Sequence, residues 1–255
     1  MARPIIGARW NDMDYRPITG KPFSGLPPAA LSGWKIPQTD ASHYPEPLFI
    51  EYRFLTMEQY DRFFTPDFYL DTPRVTLRLL KWEDAPALYE LGQDADIWKY
   101  FVRDLSTRQE MDAFIADALH ARELKTRMPF TIIDKDTGRI CGSTSFSNIS
   151  FYDQRIEIGW SWLGKEYQGM GINKPCFFAL YSFAFGVMNM QRVEAKTDVL
   201  NEQARAALLK VGMIPEGVLR SHMVMAGGRR RDTLYFSMLK SEWPERSAAF
   251  FSELL

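Results

Sequence analysis

The 255-residue chain carries 31 basic and 32 acidic side chains for a net charge of −1, with 46% hydrophobic and 14% aromatic residues. That balance excludes a chain disordered throughout and gives no bulk electrostatic drive toward nucleic acid or an anionic membrane. At this length about three-quarters of the unfolded surface can be buried, in one large domain or one domain with an appendage.

Nine of the fifteen prolines fall within residues 1–71, which excludes long regular elements over most of that stretch. Trp10, Tyr15, Phe23, Trp34, Tyr44 and Phe49 are spaced along it, as disordered linkers are not. An N-terminal extension over residues 1–71 is therefore expected to be an ordered arm or lid, with a strand at residues 48–55 and a short capped helix from Thr56 to Phe64. The opening residues show no apolar run of signal type and no stretch approaches eighteen apolar residues, so a cytoplasmic protein is expected.

Residues 75–80 read as a strand and 82–91 as a helix with Pro86 in its first turn. An aromatic loop follows at 94–105, where Trp98, Tyr100 and Phe101 suit ligand contact and plain packing equally. Ser106 with Gln109, or Thr107 with Glu110, caps the next helix, whose Met111, Phe114, Ile115, Ala118 and Leu119 follow a 3.6-residue period. Residues 128–134 and 139–148 form a hairpin around Gly138. In residues 155–163 Ile156, Ile158, Trp160 and Trp162 alternate with Arg155, Glu157, Gly159 and Ser161, which predicts a strand with one apolar face.

The loop Gln168, Gly169, Met170, Gly171, Ile172, Asn173 comes next. Its glycines let the backbone turn sharply and expose successive N–H groups, and Asn173 suits an N-cap with Pro175 in the first turn. A helix start of this kind attracts an anion such as a phosphate. Beyond that helix, which runs to about Val187, a strand is predicted at 192–198, a helix capped by Asn201 and stopped by Gly212, two strands at 213–220 and 233–239, and a helical tail. Cys141 and Cys176 are the only cysteines and have no companion at ligand spacing, so no metal site is expected.

The order of elements predicts an α/β fold, a mixed and mostly antiparallel sheet with helices on both faces. The Gln-x-x-Gly loop, the run KTDVLNEQARAALLKVGM and the run GVLRSHMVMAGGRRRDTLYFSMLKSEWP resemble the GNAT superfamily of acyl-CoA-dependent N-acetyltransferases, in particular the ribosomal-protein N-terminal acetyltransferase branch. The resemblance covers residues 72–244 and leaves 245–255 as a C-terminal helical tail. It implies that the strands at 155–163 and 192–198 splay apart and that acetyl-CoA, as cosubstrate, lies in the gap. Trp162 and Leu163 would offer backbone groups to the pantetheine, residues 168–173 would hold the pyrophosphate, and Asn201 would contact the pantetheine amides or serve simply as a cap.

Transfer from a thioester to an amine requires a neutral amine, a stabilised oxyanion and a protonated thiolate. A lysine-like amine costs about 4–5 kcal/mol to neutralise near pH 7 and an α-amine about 1 kcal/mol. Glu157 matches the position of the family's catalytic glutamate, acting directly or through water; its structural alternative is a pairing with a cation such as Arg155. The Leu163 N–H would hold the oxyanion. Relatives often place a tyrosine or serine in the helix after Asn201 as general acid, but Leu208 and Ala204 stand there, leaving water, Ser161 or Tyr235. His222 is a candidate for the acceptor pocket together with Trp98, Tyr100 and Phe101. Arg229, Arg230 and Arg231 form a basic run suited to an acidic group or to a solvated turn. The expectation is an acetyl-CoA-dependent N-acetyltransferase acting on a small amine or a protein N-terminus, as monomer or homodimer. The competing expectation is a non-catalytic acyl-CoA-binding regulatory module of the same fold.

Overall fold

The computed structural model describes residues 60–255. The expected arm over residues 1–59, with its strand and the start of its short helix, lies outside the described residues. The sheet begins earlier than the expected boundary at residue 72: strand β1 (Tyr69–Asp71) pairs with β2 (Val75–Leu79), and Tyr60 and Phe63 lie buried in the core. Three residues are too few to establish a period, which is why β1 is invisible to pattern reading.

Eight strands form one sheet in the order β1-β2-β3-β4-β5-β6-β8-β7, with β3 (Met128–Asp134), β4 (Arg139–Ser150), β5 (Arg155–Leu163), β6 (Arg192–Asp198), β7 (Ile214–Val224) and β8 (Arg230–Leu239). Every neighbouring pair is antiparallel except β5 and β6. Helix α1 (Ala85–Leu91) and α2 (Arg108–Glu123) cover one face, and α3 (Asn173–Tyr181) and α5 (Trp243–Phe251) the other; α4 (Glu202–Lys210) follows β6. Phe251 is fully buried, so the C-terminal helix belongs to the core rather than trailing from it. Beyond Tyr181 the chain winds on as a π-helical turn, Ser182–Val187, with Phe183, Ala184 and Phe185 buried.

The caps follow the sequence in most places. Thr107 takes the N–H of Glu110 at α2, Asn201 takes that of Ala204 at α4, and Gly212 ends α4 at a φ of 82°. Asn173 differs. It is the first residue of α3 and Ile172 occupies the N-cap without a side-chain bond, because Gly171, at a φ of 78°, already makes the turn one residue earlier.

The period of two in β5 also breaks. Opposite Thr144, which sits between the pairs Ser143–Trp162 and Ser145–Gly159, stand two residues, Trp160 and Ser161, and Trp160 has a φ of 56°. A bulge of this kind moves every later side chain to the other face. Ile156 and Ile158 therefore pack under α3 while Trp162 packs under α1 and α2, its ring 4.9 Å from that of Trp98. The Arg127 guanidinium lies 4.7 Å from the Trp160 ring and its Nε donates to Ser145 Oγ at 2.8 Å, bracing the bulge.

Asp84, 3% exposed, joins the start of α1 to the sheet. It accepts from both terminal nitrogens of Arg78 at 2.8 and 2.5 Å, from Thr131 Oγ1 at 2.6 Å and from the Lys81 N–H at 3.0 Å. Burial alone raises its pKa, but the bonds from Arg78, Thr131 and Lys81 outweigh it and hold the carboxyl below the usual carboxylate range. Asp84→Asn is expected to cost about 3–5 kcal/mol in urea unfolding at pH 7, because it leaves Arg78 without its counter-charge. The folded pKa is depressed, so the carboxylate's contribution is complete above the unfolded value of about 3.9 and is lost as pH falls through the folded value. The gap between wild type and variant should accordingly close below about pH 4; a gap that stays constant to pH 2 would assign the cost to packing instead.

Candidate active site

β5 and β6 run in parallel register only over Arg155–Arg192, Ile156–Val193 and Glu157–Glu194. β5 then continues to Leu163 and β6 to Asp198 without pairing, so the sheet parts as the resemblance implied. The bulge at Trp160 lies three residues past the last β5–β6 pair, inside the parting. A cavity of about 910 Å3 fills the gap and extends to both faces of the sheet.

The loop at residues 168–173 forms one wall. Gly169 and Gly171 have φ values of 81° and 78°, and a Cβ built on either would meet nothing within 4 Å, so glycine is required for the conformation and not for room. The N–H groups of Gly169, Gly171 and Ile172 make no hydrogen bond among the described residues. Those of Asn173 and Lys174, at the start of α3, lack acceptors by the geometry of any helix start. The Gln168 side chain fixes this loop: its Nε2 donates to the Leu163 carbonyl at 3.1 Å, and its Oε1 accepts from Gln203 Nε2 at 3.1 Å. A row of unbonded N–H groups at a helix start, open to a cavity, fits a pyrophosphate.

At the end of β5, the Gly164 N–H donates to the Cys141 carbonyl at 3.0 Å, so Leu163, opposite Gly142, is a non-hydrogen-bonded position of the β4–β5 ladder. Its N–H and C=O face the parting. The carbonyl is occupied by Gln168, which leaves the N–H as the free group at that position. Asn201 lines the opposite wall; its Oδ1 caps α4 and its Nδ2 makes no hydrogen bond among the described residues, so both expected roles are sterically compatible. Ala204 and Leu208 line the same wall and offer no hydroxyl to a leaving thiolate.

Glu157 lies where the strands part and is 6% exposed. Its Oε2 accepts from Asn148 Nδ2 at 2.8 Å and from Lys196 Nζ at 2.9 Å. The expected pairing with Arg155 is not made: Arg155 faces Asp153 and Glu194. The cation is Lys196, two residues past the last β5–β6 pair, and only the parting of the strands lets it reach across. Oε1 has no partner among the described residues and lies beside Gly159, where a Cβ would come within 3.2 Å of it.

Not every expected site residue meets the cavity. Ser161 does, with its Oγ 2.7 Å from Thr144 Oγ1, whereas Tyr235 lies one strand farther, its ring 5.8 Å from Lys196 Nζ and outside the cavity wall. Tyr100 and Phe101 line the cavity, but Trp98 is a core residue whose Nε1 donates to the Gly92 carbonyl at 2.7 Å. His222 is exposed on β7, its ring 5.9 Å from that of Tyr235, and Met170 is exposed on the outer side of its loop. Of the basic run expected to meet an acidic group or form a solvated turn, Arg231 borders the cavity, as do Asn148 and Lys196, which pattern reading did not assign to the site. Lys196 falls on a polar position of its strand, which was the available signal. Both cysteines are buried, and burial pushes the Cys141 thiol up to about 12 and the Cys176 thiol well above its ordinary value, which disfavours the thiolate a nucleophile requires. Among the described residues no group of three or more His, Cys, Asp or Glu converges on a metal position, and no helix is long and apolar enough to cross a membrane.

A mixed sheet that parts between its two parallel neighbours, with an anion-seeking helix start on one side and a buried carboxylate on the other, is the frame of an α/β group-transfer enzyme. The family model for the acetyltransferase (GNAT) domain matches residues 74–214. The chain is 33% identical over 178 residues to an uncharacterized N-acetyltransferase, p20, of Bacillus licheniformis, covering 68% of this chain and 97% of that protein. It is 30% identical over 175 residues to a Bacillus subtilis strain 168 protein provisionally named ribosomal N-acetyltransferase YdaF, covering 66% and 93%. The solved structure of a GCN5-related N-acetyltransferase from Brucella melitensis superposes with a TM-score of 0.68 at 26% identity, over 73% of this chain and 85% of its own. The chain belongs to the GNAT acetyltransferase family and is an acyltransferase.

Proposed function

We propose that this acyltransferase moves the acetyl group of acetyl-CoA to a primary amine, of a small molecule or of a protein N-terminus, by direct attack of the amine on the thioester, and that it works in the cytoplasm. The observation that carries the reading is the alignment of three features in one cavity: the unbonded N–H groups of Gly169, Gly171 and Ile172, the free Leu163 N–H at the parting, and the open Oε1 of Glu157. When bound, acetyl-CoA supplies an activated carbonyl. The loop would hold its pyrophosphate, Asn201 Nδ2 would donate to an amide carbonyl of its arm, and the Leu163 N–H would donate a hydrogen bond to the carbonyl oxygen as negative charge grows on it.

Glu157 takes the amine's proton through Oε1 while Asn148 and Lys196 hold Oε2 in place, so the carboxylate is oriented without blocking its second oxygen. Of the two side chains expected to protonate the thiolate, only Ser161 borders the cavity; water is the simpler donor, since a coenzyme A thiol needs little assistance. The name of the Bacillus subtilis relative, a ribosomal N-acetyltransferase, supports trying amines of ribosomal components, protein N-termini included, among the first acceptors.

The test is thiol release from acetyl-CoA across an amine panel that includes small amines and N-terminal peptides. Amine-dependent release with formation of the acetylated amine is expected. Stabilisation by acetyl-CoA with no release from any amine would favour the non-catalytic module, and no stabilisation would remove the acyl-CoA reading altogether.

A further inference from the structure

β8 extends past the end of β6. Asp198, the last residue of β6, pairs with Thr233, and Arg231 lies two residues farther along β8. Two-residue spacing puts Arg231 on the sheet face of Thr233 and Tyr235, the face shared with Lys196 and Glu157 and opposite to that covered by α3. Arg231 is only 5% exposed and borders the cavity. Its Nε donates to Thr233 Oγ1 at 3.0 Å, and its two terminal nitrogens make no hydrogen bond or ion pair among the described residues. They are also absent from the orphaned atoms sealed in the protein, so they open on the cavity.

The neighbouring charges are spoken for. Glu157 pairs with Lys196, and the fully buried Asp198 pairs with Arg229. The wall therefore holds one surplus positive charge, buried and equipped with four unused N–H donors in a planar fork. Burial pulls the Arg231 pKa below its ordinary value, partly offset by Asp198, Tyr235 and Glu157, a sign that the group is poorly solvated where it stands.

We infer that Arg231 is a specificity-determining residue that binds a carboxylate of the acceptor, so that the preferred acceptor is an amine carrying a carboxylate close to its nitrogen. This deepens the acetyl-transfer reading and rests on it. A fork of parallel donors matches two carboxylate oxygens, and a desolvated guanidinium gains most from an anion that also neutralises it. The pyrophosphate of the cosubstrate is not the partner, because its loop starts α3 on the other face. The carboxylate has two sources, the α-carboxylate of a free amino acid or an acidic side chain at the second residue of a peptide.

The experiment compares wild type, Arg231→Gln and Arg231→Lys in thiol release with paired acceptors: free amino acids against their α-amides, and Ala-Asp against Ala-Asn peptides with blocked C-termini. At least a tenfold higher kcat/KM is expected for the carboxylate member of one pair type, which identifies the source. That preference should vanish in Arg231→Gln, be partly kept by Arg231→Lys, and leave stabilisation by acetyl-CoA in place as the check on folding. Equal use of both members by wild type, or a preference that survives Arg231→Gln, overturns the inference. A second measurement is independent of turnover: thermal stabilisation of the coenzyme A-saturated protein by the N-acetylated forms of the same compounds. If no amine releases thiol, the transfer reading fails, while carboxylate-dependent stabilisation lost in Arg231→Gln sustains the anion site and its absence in wild type overturns it.

Discussion

Glu157→Gln is expected to lower turnover about a hundredfold while changing acetyl-CoA affinity less than threefold. The amide keeps the length and shape of the side chain, and its oxygen can still accept from Asn148 or Lys196, but it cannot take a proton. The carboxylate stands on the face opposite to the pyrophosphate loop, so its loss should leave cosubstrate binding alone. With the base removed, deprotonation of the amine passes to solvent and the pH–rate profile of kcat/KM should shift toward higher pH. The substitution also leaves Lys196, which is half-buried beside it, without its counter-charge, a cost of about 1–3 kcal/mol that urea unfolding will register. Measuring stability and rate on the same preparation separates the roles. A rate that falls less than threefold between pH 6 and 9, together with the full stability loss, would make Glu157 a strut between β5 and β6 rather than a base.

The parts of this site that were legible from residues alone are those written in local chemistry. The glycines at 169 and 171 declare a turn with positive φ, Asn201 a cap, and the alternation in β6 a half-buried strand; each depends on neighbours within four residues. The order of those pieces also disclosed the family and the splay. What stayed hidden depends on distance or on a single irregular residue. Alternation through Ile156, Ile158, Trp160 and Trp162 reads as one face, yet the left-handed backbone at Trp160 transfers Trp162 to the other, and nothing in a tryptophan announces it. Trp98, Tyr100 and Phe101 have the same composition signal, but only packing against Trp162 decides that the first is core and the others wall. Lys196 meets Glu157 across 39 positions of sequence because two strands separate, so Arg155, two residues away, was the natural partner to expect. Arg231 looked like one third of a basic turn. Its neighbour Arg229 takes Asp198, which is what leaves Arg231 facing the cavity uncompensated.

Gly171→Asp is expected to weaken acetyl-CoA at least tenfold, about 1.4 kcal/mol or more. Two effects act together. The φ of 78° is outside the region L side chains favour, costing roughly 1–2 kcal/mol of stability, though aspartate and asparagine tolerate it better than most. The larger effect is electrostatic: a Cβ at this position meets no protein atom within 4 Å, so the new carboxylate enters open space beside the unbonded N–H groups, where the pyrophosphate of the proposed cosubstrate would concentrate negative charge. Gly171→Asn separates the two, since it imposes nearly the same backbone and volume without the charge. Calorimetry at low and moderate salt should show the aspartate variant several-fold weaker than the asparagine variant, with the difference shrinking as salt screens the repulsion. Equal affinities for the two variants would place the phosphates elsewhere, and wild-type affinity in a folded Gly171→Asp protein would remove this loop from the binding site.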